Sequence, residues 1–234
     1  MHSLLKESLR PTQQTALSGD EPGGLGAEGQ VPQAIDPSKQ DAYEKAGIIL
    51  ADLNFDDLEL NNNKFVCKKC DVTNENSINF LIDEVNHKYG LIDIFCSNAG
   101  ILSLGDEQAS VEDWNRNWNL HVMSHALAAK KLIPDMLKRG SGYFVNTASA
   151  AGLLSHIDSI TYSTTKHAAI GLAEWLAISY GKKGIGVSVL CPQAVETDMT
   201  KGRENEVSAL DGMMKPEEVA KEVIKAIKNE VFLI

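Results

Sequence analysis

Short apolar runs alternate with longer amphipathic stretches from about residue 41 onwards. One amphipathic stretch, residues 74–88, carries Ile78, Leu81, Ile82 and Val85 at helical spacing, which predicts a helix with one buried face. A second helix is predicted to run to about residue 137, a third over 161–180 and a last one from Pro216. The apolar runs are typical of buried parallel strands, at residues 47–51, 65–67, 91–95, 142–146, 187–191 and 231–234.

This alternation predicts βαβ units. The expected fold class is therefore α/β, a doubly wound and mostly parallel sheet, in a single domain over residues 41–234.

Residues 1–40 follow a different pattern. They hold Pro11, Pro22, Pro32 and Pro37, which are four of the seven prolines, and they contain a cluster of glycines between residues 19 and 29. Apolar periodicity is absent there, so the segment cannot bury enough surface to offset its ordering entropy. The sequence predicts an irregular or disordered N-terminal segment.

Charge and cysteine usage narrow the range of partners. The chain of 234 residues has a net charge of −10, which argues against nucleic acid and anionic membranes as partners, since both require a basic face. No apolar run reaches the roughly 20 residues of a membrane span, and the N-terminus lacks the apolar core of a signal peptide. Cys67 and Cys70 form one CxxC without a second pair, so no metal is predicted. Four scattered thiols suit a reducing environment, and the prediction is a cytoplasmic protein.

Candidate chemistry centres on Tyr162 and Lys166, which are four residues apart and so lie on one face of the predicted helix. A nearby ammonium favours the phenolate over the phenol, and this makes the tyrosine a usable acid/base nearer neutrality. Ser149, at the end of an apolar run thirteen residues earlier, could hold a carbonyl oxygen beside that phenol. A tyrosine and a lysine at this spacing are, by themselves, more often an ordinary exposed pair.

Ser149, Tyr162 and Lys166, together with Asn98-Ala99-Gly100 upstream and residues 191–197 downstream, resemble the short-chain dehydrogenase/reductase family. The resemblance runs from about Gly47 to Ile234. It implies a Rossmann-like fold and an NAD(P)-dependent oxidoreductase that transfers hydride between a nicotinamide and a secondary alcohol or ketone. It also implies that Tyr162 is the acid/base, that Lys166 lowers its pKa and anchors the ribose, that Ser149 polarises the carbonyl, and that the protein is a homodimer or homotetramer.

The resemblance further implies a set of cofactor-binding positions. Asp52 would accept hydrogen bonds from the adenosine ribose and favour NAD over NADP, although a simple turn cap in residues 52–54 explains this aspartate equally well. The remaining cofactor contacts would come from residues that follow the strands and from the catalytic helix: Asp71, Val72, Asn98, Ala99, Gly100, Tyr162, Lys166, Val195 and Thr197.

Two positions depart from the family pattern. His121 stands where the family has the asparagine of a proton relay, so it either replaces that residue or simply lines the core. Gln30, Ala34 and Asp36 occupy the positions of the three glycines in the phosphate-binding turn, where side chains and a negative charge oppose a pyrophosphate. An alternative function is therefore a catalytically impaired relative that does not bind cofactor and acts through oligomerisation or protein interaction.

Overall fold

The computed structural model describes residues 14–18, 47–54, 65–202, 209 and 212–234, and its strands form one six-stranded sheet. The spatial order is β3-β2-β1-β4-β5-β6. Strands β2 and β3 pair in parallel, as do β4 with β5 and β5 with β6. The strand bounds are β1 Gln14–Ser18, β2 Gly47–Asp52, β3 Phe65–Lys69, β4 Ile92–Ser97, β5 Gly142–Thr147 and β6 Ile185–Leu190.

In the described ranges, five α-helices connect or follow these strands. Their bounds are α1 Glu75–Tyr89, α2 Val111–Trp118, α3 Ser124–Arg139, α4 Ile160–Tyr180 and α5 Pro216–Asn229. A π turn, Asn119–Met123, joins α2 to α3 without a break in the helical backbone. Side-chain caps set several of the starts: the Asn74 side chain accepts from the Ser77 N–H at α1, and the Ser159 hydroxyl accepts from the Tyr162 N–H at α4.

Helices cover both faces of the sheet. On one face, the predicted apolar stripe of α1 packs with residues of α3 and α4 against Phe95, Phe144 and Val189. On the other face, Val219 and Val223 of α5 pack against Cys96, Tyr143, Val145 and Leu190. The prediction of a doubly wound, mostly parallel α/β sheet is therefore confirmed, and the predicted helices and strands agree with the observed ones to within a few residues at each end.

Strand β1 lies inside the segment that was predicted to be irregular, and for these five residues the expectation was wrong. β1 pairs antiparallel with both β2 and β4. Between these two strands every backbone N–H and C=O that faces the gap needs a partner, so strand pairing outweighs a weak local pattern. Because β1 is antiparallel, Ser18 lies opposite Gly47, at the amino end of the parallel strands. The glycine-turn positions 30, 34 and 36 and the remainder of residues 19–46 lie outside the described residues.

The C-terminal residues lie along β6. The Val189 N–H donates to the Phe232 carbonyl at 2.7 Å, and the Cys191 N–H donates to the Ile234 carbonyl at 2.8 Å. These bonds agree with the predicted final strand at 231–234. Among the helices that the structure describes, none is long and apolar enough to cross a bilayer.

The packing of Phe95 gives a stability prediction. Its side chain is fully buried in the main core, whereas Phe80 on the outer face of α1 is 71% exposed. Phe95→Ala should lower the free energy of unfolding by about 3–5 kcal/mol, because it removes buried apolar surface and leaves a cavity. Phe80→Ala, the same chemical change at an exposed site, should stay within about 0.5 kcal/mol of wild type. Urea unfolding of the three proteins measures both values, and similar losses for the two variants would contradict the assigned core.

Candidate functional site

The residues singled out from the sequence follow the carboxyl ends of parallel strands. Asp52 ends β2, Asp71 follows β3, Asn98 follows β4, Ser149 follows β5 and the segment from Cys191 follows β6. Parallel strands present these ends at the same edge of a sheet, which is where ligands bind in open α/β folds. The strand topology thus places all five positions along one edge.

A cleft of about 600 Å³, partly open to solvent, lies at this edge between the ends of β4, β5 and β6 and the first turns of α4. Seven of the predicted site residues line it: Asn98, Gly100, Ser149, Tyr162, Lys166, Val195 and Thr197. Thr147, Pro192, Gln193, Met199 and Thr200 are among its other walls. The cleft therefore brings together residues that are up to about a hundred positions apart in the chain.

Ser149 and Tyr162 line this cleft together, and the Ser149 hydroxyl is close enough to influence the pKa of the phenol. Ser149 is held in place as the cap of a short 3₁₀ turn, where its hydroxyl accepts from the Ala151 N–H at 3.1 Å. Burial raises the pKa of Tyr162 above its ordinary value, and the nearby Ser149 hydroxyl opposes that shift only in part. The lowering of this pKa by Lys166 stays a prediction.

Lys166 is 2% exposed, and its amine lies 5.5 Å from the centre of the Tyr162 ring. The Nζ donates to the Thr147 carbonyl at 3.0 Å. The Thr147 hydroxyl in turn donates to Asn98 Oδ1 at 2.9 Å, so the end of β5 links the lysine to the segment after β4. Burial lowers the pKa of Lys166 to about 8, because the charged form loses its hydration.

Two threonines that support the site were missed by sequence reasoning. Thr147 holds Lys166 through its carbonyl and Asn98 through its hydroxyl. Thr165, which precedes Lys166 on α4, is fully buried and lies 2.8 Å from His121 Nδ1. Both threonines lie close in sequence to Ser149 or Lys166, and this proximity could have indicated a role in the site. The contact made by the Thr147 carbonyl could not be predicted, because every residue has a backbone carbonyl.

His121 lies behind the cleft, in the π turn, with no exposed surface. Its Nε2 accepts from the Ile101 N–H at 3.1 Å, and its ring meets the Tyr162 ring edge-on with the centres 5.5 Å apart. Burial holds the pKa of His121 well below its ordinary value, and the nearby Lys166 and His125 act in the same direction. The imidazole is therefore neutral at physiological pH.

The remaining predicted cofactor positions lie farther along the same edge or beneath it. Asp52 is buried, and its Oδ1 accepts from the Asn54 N–H at 3.1 Å, which is the turn cap that the sequence left open as an alternative. Asp71 forms a similar turn and accepts from the Thr73 N–H at 2.9 Å. Val72 and Ala99 are buried and contribute packing.

A second cavity, of about 490 Å³, adjoins the first and shares with it Ser149, Tyr162, Gln193, Met199 and Thr200. Half of its described wall residues are apolar: Leu102, Ala194, Met199, Ala209 and Met213. His156 is its only titratable wall residue besides Tyr162 among the described residues, and the buried His156 Nδ1 has no hydrogen-bond partner there. This cavity is suited to the body of a largely apolar molecule.

The segment after β6 is fixed by short backbone bonds. Glu196 N–H donates to the Met214 carbonyl at 2.9 Å, and Met214 N–H donates to the Ala194 carbonyl at 3.0 Å. The Thr197 N–H donates to Thr200 Oγ1 at 3.1 Å, which keeps residues 195–197 beside the first cavity. The predicted closing loop, residues 199–214, falls partly outside the described residues.

The cysteines do not form a metal site in the part of the chain that the structure describes. No group of three or more His, Cys, Asp or Glu side chains there could hold a metal ion. Cys67 and Cys70 form no disulfide, and burial raises the pKa of Cys70 above its ordinary value.

The amino-acid sequence of this chain is similar to those of known dehydrogenases. The family model described as short chain dehydrogenase matches residues 43–208. Meso-2,3-butanediol dehydrogenase of Serratia marcescens is 32% identical over 158 residues, covering 64% of this chain and 62% of the relative. 17-beta-hydroxysteroid dehydrogenase 13 of Mus musculus is 31% identical, covering 80% of this chain and 64% of the relative. The matches thus span less than two thirds of these relatives' own length.

Solved structures agree with the fold. A short-chain dehydrogenase from Streptomyces avermitilis superposes with a TM-score of 0.65 at 26% identity, covering 74% of this chain and 70% of that one. The apo form of LigO from Sphingobium has a TM-score of 0.69 at 26% identity, covering 80% and 70%. A gluconate 5-dehydrogenase from Burkholderia cenocepacia in complex with NADP and tartrate has a TM-score of 0.67, with 73% of each chain covered; at 21% identity it shows the fold alone.

The buried Lys166 gives a prediction for stability against pH. Its pKa is about 8 in the fold against 10.5 ordinarily, so between these values the unfolded chain holds a proton that the folded chain has lost. The contribution of Lys166 to the free energy of unfolding must therefore rise as the pH rises from about 8 to about 10.5. The variant Lys166→Met lacks this pH-dependent contribution, because methionine does not titrate. Urea unfolding at about pH 7.5 and about pH 9.5 should show wild type gaining on the order of 1–2 kcal/mol relative to the variant. Equal pH dependence of the two proteins would show that Lys166 keeps an ordinary pKa.

Proposed function

Because this chain belongs to the short chain dehydrogenase family, we propose that it is an NAD(P)-dependent oxidoreductase acting on a secondary alcohol or ketone. The observation that carries the proposal is the convergence of Ser149, Tyr162 and Lys166 in one cleft, with the Lys166 amine 5.5 Å from the centre of the Tyr162 ring. Side chains of these three types, in this arrangement, supply a proton donor, a carbonyl-orienting hydroxyl and a positive charge.

Each residue has a defined task in this proposal. Tyr162 gives a proton to the carbonyl oxygen in reduction and takes one from the hydroxyl in oxidation. Burial raises the pKa of this phenol, so the phenol is protonated near neutrality and can act as the proton donor. Ser149 donates a hydrogen bond to the same oxygen and so orients the substrate. Lys166, protonated below a pH of about 8, stabilises negative charge on the phenol oxygen as it forms.

The walls of the cleft fit the nicotinamide half of a dinucleotide. The Lys166 ammonium has three N–H donors and gives one to the Thr147 carbonyl, which leaves donors for ribose hydroxyls. Gly100 carries no side chain between the end of β4 and Lys166, and a Cβ there would lie 3.5 Å from the lysine Nζ. Val195, Thr197 and Asn98 also line the cleft. When bound, the nicotinamide supplies the carbon that exchanges hydride with the substrate.

The adenosine half would lie along the ends of β2 and β3. Asp52, Asp71 and Val72 follow these strands at the same edge, with Ala99 beneath the neighbouring one. A carboxylate at the end of β2 favours the free ribose hydroxyls of NAD and repels the extra phosphate of NADP. We therefore propose NAD as the preferred cofactor, with Asp52 as the residue that distinguishes the two.

The second cavity supports a substrate with an uncharged, largely apolar body. A phosphate or carboxylate on the substrate would need a cationic partner, and the described walls of this cavity offer none. The hydroxysteroid dehydrogenases among the relatives act, by their names, on compounds of this kind.

We further propose that the protein is cytoplasmic and that copies of the chain associate with one another. Trp175 and Ile178 on α4 are 58% and 77% exposed, and apolar side chains at neighbouring helical positions suit a contact between copies of the chain. We propose a homodimer or homotetramer built on such contacts.

Replacing the proposed acid/base tests the function. Tyr162→Phe keeps the ring and removes only the hydroxyl, so reduction of a ketone by NADH or NADPH should fall by about 10³-fold or more in kcat. Tyr180→Phe, the same change at the end of the same helix and away from the cleft, should keep wild-type rates. The assay follows loss of reduced nicotinamide absorbance with a panel of neutral ketones.

Two results would contradict the proposal. Equal rates for wild type and Tyr162→Phe would remove the tyrosine from the chemistry. Failure of wild type to bind NADH or NADPH at millimolar concentration, measured by calorimetry, would instead favour the non-catalytic relative that acts through protein interaction.

Cofactor preference gives a separate prediction. Wild type should bind NADH more tightly than NADPH, and Asp52→Ala should reduce that preference by about tenfold or more, because the carboxylate no longer meets the ribose or repels the phosphate. Asp106→Ala, outside the proposed cofactor positions, serves as the control for a lost negative charge and a lost turn cap. Calorimetric titration of the three proteins with both cofactors measures the ratios. Tighter NADPH binding by wild type would show that Asp52 acts only as the turn cap.

A further inference from the structure

The position of the family's relay asparagine is held here by a histidine whose two ring nitrogens both have partners. His121 Nε2 lies 3.1 Å from the Ile101 backbone nitrogen, and Nδ1 lies 2.8 Å from the Thr165 hydroxyl oxygen. Thr165 Oγ1 also lies 2.8 Å from the Thr161 carbonyl oxygen and 3.1 Å from the Tyr162 carbonyl oxygen. These contacts join three segments of the site: the turn after β4, the π turn and α4.

Counting protons fixes the form of the ring. A backbone N–H can only donate, so the nitrogen that faces Ile101 must be bare. The single hydroxyl proton of Thr165 goes to a carbonyl of α4, which can only accept. The Thr165 oxygen therefore accepts from His121, and Nδ1 must carry the hydrogen. The contacts are satisfied only by the neutral Nδ1–H tautomer.

Protonation would break this arrangement. An imidazolium has hydrogens on both nitrogens, so Nε2–H would face the Ile101 N–H, donor against donor. The ring has no exposed surface to compensate the charge. The charged and titratable groups packed around it are Lys166 and Tyr162 of α4 and His125 one turn along its own helix, and none of them is an anion at neutral pH.

We infer that His121 is a positioning residue that stays in the neutral Nδ1–H form and carries no proton during turnover. It holds the turn after β4 against α4, and so it sets where Tyr162 and Lys166 stand relative to Asn98-Ala99-Gly100. This replaces the relay role that the sequence suggested for His121 with a structural one. The kinetic consequence rests on the proposed function, whereas the tautomer does not.

Nitrogen NMR of the full chain labelled with ¹⁵N-histidine tests the tautomer directly. The chain has six histidines, and the His121 signals are those that disappear in His121→Asn. We expect a protonated Nδ1 and a bare Nε2 that do not change between about pH 5.5 and about pH 8.5. A midpoint within that range, or the opposite tautomer, would overturn the inference. The result is independent of cofactor and substrate, so it stands even if the chain proves inactive.

Thr165 provides a matched pair of variants. Thr165→Ser keeps the hydroxyl that accepts from Nδ1–H and should leave the His121 signals close to those of wild type. Thr165→Val has nearly the same shape but no acceptor, so the Nδ1 signal should shift and its hydrogen should exchange faster with solvent. Unchanged signals in Thr165→Val would show that the hydroxyl is not the partner of Nδ1.

Kinetics separate positioning from proton transfer. The amide in His121→Asn can take the place of Nδ1 and donate to Thr165, but it is too short to keep the Ile101 bond as well. We therefore expect a partial loss of kcat, smaller than that of His121→Leu, with an unshifted pH profile. His121→Leu loses both bonds, and a small displacement of the reacting groups should lower kcat by about 10–100-fold. An acidic limb present in the wild-type profile and missing from His121→Asn would show that the imidazole does carry a proton. A chain without oxidoreductase activity would contradict the proposed function and leave the NMR result unaffected.

Discussion

A buried ammonium bonded to a backbone carbonyl is the contact on which the site depends. Lys166 Nζ reaches the Thr147 carbonyl at the point where β5 ends, and this bond fixes the first turns of α4 over the carboxyl edge of the sheet. Burial disfavours the charge and lowers the pKa of the lysine to about 8. A residue that costs stability where it stands is more easily explained by function than by folding.

Hydrogen bonds between uncharged groups surround the Lys166 ammonium and fix the segments next to it. Thr147 passes the connection on to Asn98 through its hydroxyl, and His121 joins Ile101 to Thr165. The same few residues therefore tie β4, β5, the π turn and α4 into one unit. His121 lies in the π turn, and such turns are common at functional sites. Precise placement of Tyr162 follows from bonds made by residues that do not touch the substrate.

The two halves of the expected cofactor site differ in how they are built. The nicotinamide half lies among well-connected segments after β4, β5 and β6 and beside α4. The other half would depend on the ends of β2 and β3 and on a turn after β1, yet β1 runs antiparallel and Ser18 lies at the amino end of the parallel strands. The carboxylate of Asp52 is shared between a turn cap and the proposed ribose contact. Different segments of the chain would therefore hold the reacting groups and select the cofactor.

The sequence by itself determined the α/β architecture, because the alternation of buried runs and amphipathic helices is a local pattern that burial imposes on every element. It also determined which residues meet, since Ser149, Tyr162 and Lys166 follow from helical spacing and the carboxyl edge of a parallel sheet. Only the tertiary structure decided that β1 pairs between β2 and β4, that Tyr162 has a raised pKa, and that both nitrogens of His121 are bonded. Strand pairing, desolvation and hydrogen bonds to the backbone depend on residues that are distant in the chain. A local sequence pattern therefore cannot predict them.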